Sequence, residues 1–87
     1  MIVRLIYRPA SEQARPAEEF WHEYQRRTGR ALTTIDPDTP EGSALCRVYD
    51  IVRYPAVLAT RDDGTMQFIA QGLPMPLINE EEYYDQV

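Results

Sequence analysis

The sequence predicts an α/β domain, one mixed four-stranded sheet with helices on both faces. Three observations lead there. Dense apolar and β-branched runs alternate with stretches of helical spacing. A hairpin signal, Asp62-Asp63-Gly64, separates the last two apolar runs. The 87 residues, of which 44% are hydrophobic, suit a single domain over 1–87 with one modest core.

Ile2, Val3, Leu5, Ile6 and Tyr7 form the first run, broken only by Arg4. Such a run reads as a strand buried on both faces, and Pro9 ends it. Ser11 to Pro16 is polar and contains turn formers, so it reads as a loop or a ragged helix start. Pro16 suits a first helical position, where its missing N–H has no partner to lose. Ala17, Phe20, Trp21, Tyr24 and Thr28 then recur at helical spacing, with Gly29 as the stop.

Leu32 to Ile35 reads as a second strand. Thr39 followed by Pro40 is the start signal of a second helix, with Ala44, Leu45, Val48 and Tyr49 as its apolar stripe. Ala56 to Thr60 is a third strand and Met66 to Gln71 a fourth. Asn79 with Glu80, Glu81 and Glu82 predicts a short, capped final helix, docked by Tyr83 and Tyr84. The order is β-α-β-α-β-β-α. The first two strands are expected to pair in parallel through a crossover, and the last two antiparallel.

Charge and cysteine content narrow the function classes. The formal net charge is -5 and every basic residue is Arg. An acidic surface disfavours phosphate backbones, so nucleic acid is not an expected partner. No apolar stretch approaches spanning length, so no membrane is expected either. Met1-Ile2-Val3-Arg4 leads straight into a strand pattern, unlike a signal peptide. A single Cys46 permits no internal disulfide. Together these point to a cytoplasmic setting.

From Leu32 to Leu73 the chain resembles the second half of a thioredoxin. Ile35-Asp36 stands where that family ends a strand in a hydrophobic residue and Asp. Tyr49-Asp50-Ile51-Val52-Arg53-Tyr54-Pro55 resembles the family's tyrosine, turn, isoleucine and cis-proline signature. Ala56-Val57-Leu58 matches the core strand, Asp63-Gly64 the hairpin and Gly72 the glycine after the next strand. Ile2 to Tyr7 and Ala17 to Thr28 match the motif-bearing strand and helix. The resemblance therefore implies a thioredoxin-like fold over nearly the whole chain.

The departures are as informative. The strand and helix that open a full thioredoxin are missing, and the stretch around Pro37 to Gly42 is longer than usual. Where the family carries Cys-x-x-Cys, this chain reads Arg8-Pro9-Ala10-Ser11-Glu12-Gln13-Ala14-Arg15-Pro16. Dithiol exchange needs an attacking thiolate and a second thiol. No dithiol oxidoreductase activity is expected, and no cofactor is implied.

What the resemblance implies instead is a peptide-binding edge. Its candidate residues are Arg53, Tyr54 and Pro55, beside Arg8 and Ser11 of the loop after the first strand. The alternative is that Pro55 only shapes the start of the third strand. A protein partner or a homodimer is the expected ligand. Two other readings stand beside this one: a single-thiol or glutathione-handling protein acting through Cys46, and an accessory structural domain of a larger assembly. Cys46 within a helix reads more readily as a small buried hydrophobe. His22 falls on a polar face with no nucleophile nearby. Asp36, Asp38 and Glu41 lack calcium-loop spacing. Trp21 and Tyr24 are expected to be partly exposed, because the missing opening elements would cover them.

Overall fold

The computed structural model of the chain describes residues 1–76 and 78. The final helix expected from Asn79, with Tyr83 and Tyr84, lies outside the described residues. The elements are β1 (Ile2–Ile6), α1 (Ala14–Thr28), β2 (Thr33–Ile35), α2 (Pro40–Tyr49), β3 (Ala56–Thr60) and β4 (Met66–Gln71). They form one four-stranded mixed sheet in the order β2-β1-β3-β4. β1 runs parallel to β2, with Arg4 opposite Thr33 and Ile6 opposite Ile35. β1 is antiparallel to β3, and β3 to β4.

The period-2 alternation of the central strands divides the core between two faces. Val3, Leu5 and Tyr7 join Val57 and Ala59 on one face, where Ala14, Ala17, Phe20 and Tyr24 of α1 cover them. Ile6, Ala56 and Leu58 point to the other, against Cys46 of α2 and Ile51. This is why β1 and β3 read as near-continuous apolar runs: neither of their faces meets water.

Local chemistry explains the boundaries. Thr39 caps α2, its Oγ1 accepting from Gly42 N at 3.0 Å and donating to Asp36 O at 2.8 Å. Gly29 closes α1 in the left-handed region, its N–H donating to Gln25 O at 3.0 Å. Gly64, at φ 92°, ends a tight turn in which its N–H meets Arg61 O at 2.9 Å. The Tyr54–Pro55 and Leu73–Pro74 peptide bonds are cis.

Three sequence expectations are corrected. Helix α1 begins at Ala14, not Pro16, because turns at Ser11 and Ala14 already wind the chain; Pro16 sits later in the first turn, where an N–H still lacks an intrahelical partner. The inward side of α2 is Gly42, Leu45, Cys46 and Tyr49, while Ala44 is exposed and Val48 is 75% exposed. The close approach of Gly42 to the main chain of Asp36 and Pro37 turns the helix this way. Tyr24 is fully buried in the core cluster beneath α1, and only Trp21 is half-buried.

Candidate functional site

Two segments meet at the end of the sheet where β1 gives way to α1. The first is the loop from Arg8 to Gln13. Ser11 folds it back on itself: its N–H and its Oγ both donate to Arg8 O, at 3.1 and 2.7 Å. The second is the turn from Asp50 to Pro55, which leads from α2 into β3. Asp50 ends α2 in the left-handed region, and Ile51 N donates to Cys46 O at 2.8 Å.

Arg8 joins the two. Its guanidinium lies 4.7 Å from the centroid of the Tyr54 ring, a cation–π distance. Its Nε also donates to Asp38 Oδ2 at 2.9 Å, and this contact holds the guanidinium above its ordinary pKa. Tyr54 is in turn half-buried. Burial, followed by a hydrogen bond with the Cys46 thiol, pushes its phenol above the usual tyrosine value, and the nearby Arg8 charge opposes that shift.

Gln71, the last residue of β4, holds the turn from below. Its Oε1 accepts from Val52 N at 2.8 Å and Arg53 N at 3.1 Å, and its Nε2 donates to Asp50 O at 3.2 Å. Gly72 N donates to Pro55 O at 2.9 Å. Pro55 is fully buried, so it supports the site and offers no surface of its own.

Of the five candidate residues, Arg8, Arg53 and Tyr54 line one cleft of about 540 Å³, together with Gln13, Val52 and Leu73. Ser11 does not reach it. It lines an adjoining crevice of about 310 Å³ with Arg8, Asp36 and Asp38. Pro55 lies behind the cleft. Asp38, Gln71, Val52 and Leu73 are contributors that pattern reading did not single out for this site. Only Asp38 carried a local signal, as one of three acids in a proline-rich loop, and its partner is an arginine rather than a cation. Asp36 is likewise used locally, its Oδ1 accepting from Asp38 N at 2.9 Å. Among the described residues no group of three or more His, Cys, Asp or Glu is placed to hold a metal ion.

The remaining candidates take structural roles. Cys46 is buried, 7% exposed, beside Ile6, Ile51 and Leu58. His22 is exposed and stacks on Trp21 at 5.2 Å. A larger groove of about 620 Å³ runs between α1 and residues 73–76 and 78, lined by Pro16, Phe20 and Met75 among others. It contains none of the five candidate residues.

The fold and cleft define an α/β domain with a mixed four-stranded sheet and a polar site at one sheet end. No family model matches the chain, and no curated protein is similar to it. Among the described residues no helix is long and apolar enough to cross a membrane.

Proposed function

We propose that the chain is a redox-inactive thioredoxin-like module that binds a protein partner through the face at Arg53, Tyr54 and Pro55. This reading requires a mixed sheet and a β1–α1 loop lying beside the segment that precedes β3. The observation that carries it is the stacking of Arg8 on Tyr54 at 4.7 Å, which brings those two segments into one cleft. The loop supplies arginine, serine and main chain where the family supplies two thiols. Such a surface recognises a ligand and has no means of exchanging a disulfide.

Burial of Cys46 favours this reading over a single-thiol one, since a thiol must be reached to react. Two measurements test the proposal. In a dithiothreitol-driven insulin-reduction assay the protein is expected to match buffer alone; acceleration would overturn the redox-inactive half. Random heptapeptides displayed against the folded chain are expected to yield binders that shift the amide resonances of residues 8–13 and 52–54. Failure to enrich any binder, or shifts confined to Phe20 and Met75 in the larger groove, would overturn the binding half.

A further inference from the structure

We propose that the partner segment accepted by this cleft is an extended acidic peptide, a carboxylate flanked by apolar side chains. The inference rests on the protein-binding reading above and specifies its ligand. The chain as a whole carries a formal charge of -5, yet this cleft is lined by Arg8 and Arg53 and, among the described residues, by no carboxylate. A positive recess on an acidic molecule selects against most of the surface chemistry around it and steers anions inward.

The two arginines are in different states. Arg8 has one nitrogen engaged, Nε with Asp38, and its Cζ lies over the Tyr54 ring. Arg53 is exposed and forms no ion pair with any described residue. Its main chain is nonetheless fixed, because Gln71 holds its N–H at 3.1 Å. A guanidinium with no ion-pair partner among the described residues, on an anchored backbone, presents a planar fork of donors, the geometry that grips a carboxylate with two parallel hydrogen bonds.

The shoulders of the cleft supply the rest of the specificity. Val52 is 70% exposed and Leu73 is 53% exposed, and both line it. Apolar side chains left in water beside a cationic centre match a segment in which an acidic residue neighbours aliphatic ones. Gly72 lies beneath the arginine stem, where a Cβ would meet Arg53 Cβ at an ordinary contact distance of 3.7 Å.

The test is the composition of the heptapeptides enriched by display on the full chain, with Arg53→Gln and Arg53→Lys as comparison proteins. Enriched sequences are expected to carry an excess of Asp and Glu next to Leu, Val or Ile. Their affinity is expected to fall about tenfold or more for Arg53→Gln, and less for Arg53→Lys, which keeps the charge and loses the fork. It is also expected to fall as salt is raised from about 50 to about 300 mM. Neutral or basic binders that still shift residues 52–54 would overturn the acidic-peptide inference while leaving the binding reading intact. Absence of binders at this face would overturn both. A concentration-dependent dimer in sedimentation, abolished by Arg53→Gln, would make a second copy the occupant and overturn the inference in favour of self-association.

Discussion

An alanine at position 42 would drive its Cβ into Asp36 O and set it 2.9 Å from Pro37 Cα. Both are main-chain atoms of the loop that leads into α2, and they cannot rotate away. In an open helix, replacing glycine by alanine stabilises by about 1 kcal/mol. Here the sign reverses: Gly42→Ala is expected to destabilise by about 1–3 kcal/mol, read as a lower urea midpoint. A neutral or stabilising result would mean that α2 does not pack this closely. Cys46 makes the opposite case. It fills a small apolar space, so Cys46→Ala is expected to cost about 1 kcal/mol and to leave peptide binding unchanged. Its native thiol is expected to react with a disulfide reagent far more slowly than in the unfolded chain. The cysteine's role was legible in the sequence, as a small hydrophobe within a helix, and Cys46 is buried. The glycine's was not: glycine inside a helix is an ordinary pattern, and its meaning comes from what lies across the fold.

The elements differ in how far their signals reach. The start of α2 was legible because capping is local: Thr39 and Gly42 are three residues apart, and the cap is complete within them. Thr39→Ala removes that acceptor and the donor to Asp36, and is expected to cost about 1 kcal/mol in thermal or urea unfolding. The hairpin at Asp63-Gly64 was legible for the same reason. The apolar stripe of α2 was misjudged because counting apolar residues does not decide which side meets the sheet. Val48 is as hydrophobic as Leu45, but only the latter lies inward. The Gln71 clasp was not legible at all. It spans 18 to 21 residues and uses main-chain groups, which leave no trace in residue type. Gln71→Ala is expected to raise hydrogen exchange at the Val52 and Arg53 amides about tenfold or more, with the rest of β4 still protected.

For the whole molecule, ionisation modulates stability at both ends of the pH range. On the acid side, Asp63 accepts from Thr65 N at 2.9 Å and Glu23 accepts from Arg26 and Arg27, so both carboxyls titrate below their usual range. A group whose pKa is lowered by folding stabilises above its unfolded value, about 4, and loses that contribution as pH falls. Asp63 is exposed and Glu23 is partly so, and the loss is small; Asp63→Asn is expected to flatten the decline of Tm below about pH 4. On the alkaline side, burial raises Tyr54 and Tyr7, the latter also through its hydrogen bond to Glu18. A raised phenol stabilises below its unfolded value, about 10, and ceases to do so as pH climbs through the folded value. Absorbance at about 295 nm is expected to show a late-titrating fraction of the tyrosines, diminished in Tyr54→Phe and absent after unfolding. The sheet itself was well read from the apolar runs of β1 and β3 and the hairpin signal that precedes β4. That the Arg8 and Tyr54 segments meet at its end was expected only through the resemblance and not from spacing, since these residues are far apart along the chain.

That clasp beneath Val52 and Arg53 changes what association must overcome. A loop that orders only when its partner arrives surrenders conformational entropy at that moment, and the loss is subtracted from the attraction the new interface supplies. Here one glutamine side chain has already immobilised the turn, through three bonds made whether or not a ligand is present. On the proposed reading, the Arg53 side chain is what binding still has to restrict within this turn, an ordering penalty of about 0.5–1.5 kcal/mol. Affinity for a short segment is then expected to depend on Gln71 of β4 as much as on Arg8 and Arg53.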